Sequence, residues 1–171
     1  MLQQQMLHVY TTLERAVELL SDDPRVAAIG DPALSRVQRL RADLAALGAE
    51  ADVAPCAATL RYILTVDKAA NEADAASIIA HHYVRYLGDL AGGQVIARKM
   101  EQLYGVPRSA LTFYDFSDIG AIKPYRDRYR EALDSLKLTQ EERERMLSAA
   151  AEAFRFNIDV FRAVGERICS R

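Results

Sequence analysis

The chain has 171 residues, with 22 Lys and Arg against 24 Asp and Glu for a formal net charge of −2, and 50% of its residues are hydrophobic. That length supports one sizeable core and predicts a single domain over residues 1–171. The near-neutral balance excludes a protein whose main partner is bulk nucleic acid or an anionic membrane surface.

Five prolines, eight glycines and almost no β-branched alternation predict an all-α fold of about six helices. Leu2, Met6, Val9, Leu13, Val17 and Leu20 recur at steps of three and four, which predicts a first amphipathic helix stopping near Ser21-Asp22-Asp23-Pro24. Asp31-Pro32 places a capping carboxylate before a helix-starting proline, the stripe Leu34, Val37, Leu40, Leu44, Leu47 follows, and Gly48 supplies the stop. A third helix from Pro55 carries Leu60, Ile63 and Leu64. From about Glu72 to Tyr104 the pattern is helical and much longer, with Gly88, Gly92 and Gly93 in its middle. An aromatic connector follows at Phe113-Tyr114-Asp115-Phe116, with Ser117 and Asp118 as candidate caps of the next helix. Thr139-Gln140-Glu141-Glu142 is a capping box opening a last helix that carries Met146, Leu147, Ala150, Phe154, Ile158 and Phe161. The amino terminus lacks a signal-peptide pattern, no stretch reaches the ~18 apolar residues of a membrane span, and the polar Cys169-Ser170-Arg171 end predicts no tail anchor. Cys56 and Cys169 form no Cys-x-x-Cys, which fits a reducing compartment, so a cytoplasmic protein is expected.

The chemistry is concentrated in His81-His82-Tyr83-Val84-Arg85-Tyr86-Leu87-Gly88-Asp89-Leu90-Ala91-Gly92-Gly93-Gln94. Each glycine inside a helix costs ~1 kcal/mol relative to alanine, so a plain packing helix would seldom carry three in six positions. Arg85, Gly88, Asp89 and Gly92 are spaced i, i+3, i+4, i+7 and share one face, two charged and two without a side chain. Such a face admits a flat ligand against bare backbone, with Asp89 placed to hold an ordered water network. The same residues also read as close helix packing through small side chains, with Arg85 and Asp89 an ordinary ion pair.

The run Tyr83 to Gln94 resembles the distal-helix signature of heme oxygenases, and His81-His82-Tyr83 and Gln94-Val95-Ile96-Ala97 resemble the bacterial members in particular. Tyr10-Thr11-Thr12-Leu13-Glu14, Tyr125-Arg126-Asp127-Arg128-Tyr129-Arg130 and Phe154-Arg155-Phe156-Asn157 extend the resemblance, in the family's order, over essentially the whole chain. The resemblance implies a heme-oxygenase-like fold with a long glycine-kinked distal helix. It implies heme as both cofactor and substrate, opened at the α-meso carbon to biliverdin, carbon monoxide and ferrous iron with dioxygen and external electrons. By the same resemblance Gly88 and Gly92 touch the distal face of heme, and Asp89 organises waters that deliver protons to dioxygen. Tyr10 and Arg85 join that distal network. The resemblance also implies that Tyr83, Arg126 and Arg130 hold the propionates, where the family more often has lysine at the place of Arg126, and that Phe154 and Asn157 complete the binding set. A carboxylate acting through water supplies protons without ligating iron. Lys123, Arg128, Arg98 and Lys99 would contribute a basic surface for an acidic electron donor such as a ferredoxin or flavoprotein reductase.

Family members carry the proximal iron ligand, a histidine, on a helix that precedes the region resembled by Leu7-His8-Val9-Tyr10. His8, His81 and His82 do not match it, so no metal ligand is assigned, and the chain is read as beginning after that helix, by truncation or as a natural short form. A second reading is therefore a non-catalytic helical protein that binds heme or another tetrapyrrole, or a fragment without its axial ligand. A di-iron bundle is excluded by the absence of a Glu-x-x-His pair, and a helix-turn-helix regulator by charge and pattern.

Overall fold

The first apolar stripe turns inward as expected: in α1 (Leu2–Leu19) Met6, Val9, Tyr10, Leu13 and Ala16 are buried. The structure, a computed structural model, describes residues 1–169, with side chains through Glu166; the Cys169 side chain and Ser170-Arg171, on which the tail reading rested, lie outside the described residues. Asp23-Pro24, read as a stop, also starts a new turn. The Asp23 carboxylate accepts from Arg25 N at 2.9 Å and opens α2 (Pro24–Ala27).

The helix expected from Pro32 to Leu47 is split. Asp31 accepts from Ala33 N and starts only a 3-10 turn, Pro32–Leu34, before Ser35 turns extended and α3 (Val37–Ala46) begins. The cause is Arg36, fully buried, whose guanidinium donates to the carbonyls of Leu34, Ala33, Asp115 and Phe113 at 2.7, 3.0, 2.6 and 3.2 Å. A buried charge needs partners all round, and those carbonyls hold the chain out of helical register to supply them. Glu14 on α1 caps α3, its Oε1 accepting from the backbone N–H of Arg36 and of Val37. Buried Asp43 then accepts from Thr112 N, Thr112 Oγ1 and Phe113 N, which fastens the aromatic connector to α3.

In α4 (Ala57–Asn71) the buried face is Ala58, Thr59, Tyr62, Val66, Ala69 and Ala70, whereas Leu60 and Leu64, expected as its apolar stripe, are exposed. The long helix is present as α5 (Ala75–Tyr104), capped by Asp74, closed by Gly105 at φ 64°, and helical without interruption across all three glycines. Ser117 and Asp118 do not cap the next helix; they lie in a separate 3-10 turn, Ser117–Ile119, and α6 (Ile122–Asp134) starts at Ala121 with no side-chain cap.

The expected capping box opens α7 (Gln140–Cys169), with Thr139 N donating to Glu142 Oε2 at 2.8 Å and Glu142 N to Thr139 Oγ1 at 3.2 Å. Its buried face, however, is Ala149, Ala153, Phe156, Val160 and Val164. The larger apolar residues Leu147, Phe154, Ile158 and Phe161 form the neighbouring stripe and are exposed, at 51% or more. α5 and α7 run parallel, joined near their starts by Asp74 and Arg145 and again at Arg85 and Asn157. The described residues form seven α-helices, none of them long and apolar enough to cross a membrane.

Candidate functional site

Three helices meet at Arg85. Its guanidinium, 7% exposed, donates to the Tyr10 hydroxyl on α1 from Nε at 3.2 Å and Nη2 at 2.9 Å, and from Nη1 to Asn157 Oδ1 on α7. Nη2 also lies 3.4 Å from Asp89 Oδ1, one turn along α5, and near Met6 Sδ. The Tyr10 hydroxyl donates to Asp89 Oδ2. Tyr10, Arg85, Asp89 and Asn157 are thus in one hydrogen-bonded cluster, although 147 positions separate the first from the last.

The electrostatics of this cluster follow from burial. Desolvation raises the Asp89 carboxyl above its ordinary pKa against the pull of Arg85 and the Tyr10 hydrogen bond, and raises Tyr10 well above its own. Burial opposes the charge on Arg85, but Tyr10 and Asp89 beside it more than restore that charge, so its pKa is raised. The guanidinium stays cationic, and burial favours the protonated form of both Tyr10 and Asp89.

Beside the cluster, α5 presents bare backbone. Gly88 is exposed and Gly92 half-buried, and a Cβ built on either meets nothing within 4 Å. Helix packing therefore does not account for these two glycines. It does account for Gly93, where a Cβ would lie 3.2 Å from Tyr114 Cδ1. On α7, Asn157 sits where the buried face borders the exposed stripe of Phe154, Ile158 and Phe161. An uncovered glycine strip and an uncovered apolar strip thus flank the Arg85–Asn157 bond, an arrangement able to hold a flat, largely apolar ligand.

The other expected residues stand apart from this cluster. Tyr83 is half-buried on α5 and packs against the apolar core. On α6 the Arg126 Nε is buried without a hydrogen-bond partner, and Arg130, exposed, lies 3.5 Å from Asp127 Oδ1. The histidines are engaged elsewhere: His8 Nε2 donates to the Val53 carbonyl, His82 Nδ1 is hydrogen-bonded to the Tyr129 hydroxyl, and His81 is buried against Tyr62. No group of three or more potential metal-ligating side chains occurs among the described residues.

Sequence reasoning missed Tyr62, whose buried hydroxyl has no partner in the described structure, and Tyr86, which donates to Glu14. It also named Phe161 only as one of the apolar residues of the last helix, with no place in the site. The available signal for Phe161 was its size: the buried face of α7 is mostly small, so three bulky side chains off that face had to serve something else.

The family model described as heme oxygenase matches residues 1–163. The chain is 32% identical over 156 residues to heme oxygenase 1 of Synechocystis sp., covering 90% of this chain and 65% of that protein. It is 37% identical over 164 residues to a heme oxygenase of Takifugu rubripes, covering 91% and 58% respectively. The chain therefore spans less than two thirds of these relatives' length. Among solved structures, the heme complex of Synechocystis heme oxygenase-1 superposes with a TM-score of 0.86 at 29% identity, covering 99% of this chain and 81% of that one.

Proposed function

Because the chain belongs to the heme oxygenase family, we propose that it binds heme on the open face of α5 and α7 and serves its oxidative cleavage. Bound heme supplies a redox-active iron and the ring that opens at the α-meso carbon, giving biliverdin, carbon monoxide and ferrous iron at the expense of dioxygen and external electrons. The observation that carries this reading is the gathering of Tyr10, Asp89 and Asn157 around Arg85, beside two glycines whose missing side chains leave space rather than fill it.

The residues present fit the group. Gly88 and Gly92 let a flat ring approach the helix backbone, and Phe154, Ile158 and Phe161 offer apolar contact that is otherwise exposed to water. Arg126, with a buried N–H lacking an acceptor, and Arg130 and Tyr83 are the donors for the two carboxylates. Asp89 Oδ2 shares a proton with the Tyr10 hydroxyl and passes it outward through water, while Arg85 holds both oxygens in place. The exposed Arg98, Lys99, Lys123 and Arg128 favour docking of an acidic electron donor, a ferredoxin or flavoprotein reductase, in the cytoplasm.

One observation favours the second reading, a heme-binding protein without turnover: all three histidines are turned to partners away from the glycine strip. Titration of the 171-residue chain with hemin, with and without imidazole, addresses both readings. Saturable binding that takes on a histidine-like spectrum only with imidazole, followed by biliverdin release once electrons are supplied, supports the oxygenase reading. Saturable binding without ring opening supports the second, and no binding overturns both.

A further inference from the structure

We infer that the hydrogen bond between His82 on α5 and Tyr129 on α6 is the pin that sets the orientation of Arg126 and Arg130 towards a carboxylate-bearing ligand, making His82 and Tyr129 positioning residues. The inference rests on the proposed heme-binding reading, whose ligand carries two carboxylates.

α6 is a charged helix with a narrow hold on the body of the protein. Its fully buried side chains are the two phenols Tyr125 and Tyr129, backed by the partly buried Ile122, Ala132 and Leu133. Each phenol ends in a hydrogen bond to another element: the Tyr125 hydroxyl donates to Asp31 Oδ2 at 2.8 Å, and the Tyr129 hydroxyl lies 2.7 Å from His82 Nδ1. Two such points separated by one helical turn fix the rotation of a short helix about its own axis more sharply than diffuse apolar contact does. The second point is the stiffer. Tyr129 and His82 are stacked within 4° of parallel, and His82 packs in turn on Tyr86, whose hydroxyl donates to Glu14. Glu14 caps α3, so the pin is anchored through α5 to the core of the fold.

The cations follow from that placement. Arg126 lies one turn before Tyr129 and Arg130 directly after it, on the same side of α6. Asp127 already draws Lys123 at 2.9 Å and Arg130 at 3.5 Å along the outer side of the helix. The Arg126 Nε has no acceptor although it is buried. A donor in that condition calls for an acceptor from outside the chain, and a carboxylate answers both this donor and the neighbouring guanidinium. Freed from His82, α6 would rotate about the Tyr125–Asp31 contact and carry both cations away from one approach direction.

The test compares hemin with its dimethyl ester, which keeps the ring and lacks the free carboxylates, each titrated into the full chain with excess imidazole. Variants are Tyr129→Phe, His82→Phe and His82→Asn, the last keeping a polar atom near the place of Nδ1. The wild-type preference for hemin over the diester tests the binding reading, and its absence overturns that reading together with this inference. Given that preference, Tyr129→Phe and His82→Phe should each lower hemin affinity about three- to tenfold, leave diester affinity unchanged, and not add in combination. His82→Asn should recover part of the loss. Amide exchange over residues 122–134 of the ligand-free chain should quicken in the two Phe variants alone. Equal losses for both porphyrins, or faster exchange with the preference intact, would overturn the positioning role while leaving the binding reading standing.

Discussion

Arg85 on α5 donates a hydrogen bond to the side-chain oxygen of Asn157 on α7, at the border between the buried face of α7 and its exposed apolar stripe. The same guanidinium holds Tyr10 and Asp89, so one buried cation links α1, α5 and α7. Removing it leaves three polar groups with a partner missing in a desolvated place. Arg85→Met should therefore lower unfolding stability by about 3 to 5 kcal/mol. A urea midpoint within a tenth of the wild-type value would show that the cluster is not a structural junction.

The three glycines should separate in a stability measurement. In the ligand-free chain Gly88→Ala and Gly92→Ala should each stabilise by about 0.5 to 1 kcal/mol, because the added Cβ meets nothing and the helix gains propensity. Gly93→Ala should gain little or lose, since its Cβ presses on Tyr114. Gly92→Leu should keep the fold yet weaken hemin binding by roughly tenfold or more, through overlap with the ring. If all three alanine variants shift the thermal midpoint equally, the open strip has no physical meaning.

Local signals in the sequence were reliable where the physics is local. The Thr139–Glu142 capping box and the Asp31 cap both involve neighbours in the chain and appear as expected. Apolar periodicity on α7 did not reveal which stripe is buried, because Phe154, Ile158 and Phe161 draw a stronger stripe than Ala149, Ala153, Phe156, Val160 and Val164, and a hydropathy pattern cannot tell a core from an uncovered face. The split at Arg36 was illegible for another reason. Two of its carbonyl partners, on Phe113 and Asp115, lie 77 and 79 residues away, and no window on the sequence contains them. In the site, spacing put Arg85 beside Asp89, but the contact of Tyr10 with both is tertiary and was expected from resemblance alone.

Asp89 provides a functional test of the proposed proton route. Asp89→Asn keeps the shape and the contact with Tyr10 while removing the proton-carrying carboxyl. Hemin affinity should stay within about threefold of wild type, because no charge of the ligand is matched to Asp89. Biliverdin formation, assayed under the electron supply and added imidazole that sustain it in the parent chain, should fall by about 10²- to 10⁴-fold. An unchanged yield with normal binding would remove Asp89 from the proton route.

His81 and His82 make the fold sensitive to acid. Burial lowers the pKa of His81 to about 4 and that of His82 to about 3, so both are neutral in the folded chain. The unfolded chain protonates each below about 6.5, so acid favours unfolding: their cost is absent above that pH and grows as pH falls towards 4 and 3. Each contributes a slope of up to about 1.4 kcal/mol per pH unit. Glu14 and Asp89 act in the opposite sense: burial raises both, and a carboxyl whose folded pKa is raised opposes folding more as pH rises, so its contribution improves as pH falls. His81 is the cleaner probe, since its ring packs on Tyr62 and neither nitrogen has a partner in the described structure. Between pH 6.5 and 5, His81→Phe should lose about 1.6 kcal/mol less stability than wild type. Urea midpoints at pH 7.5, 6.5, 5.8 and 5.0 decide it; parallel curves for the two proteins would mean that His81 takes up its proton without unfolding the chain.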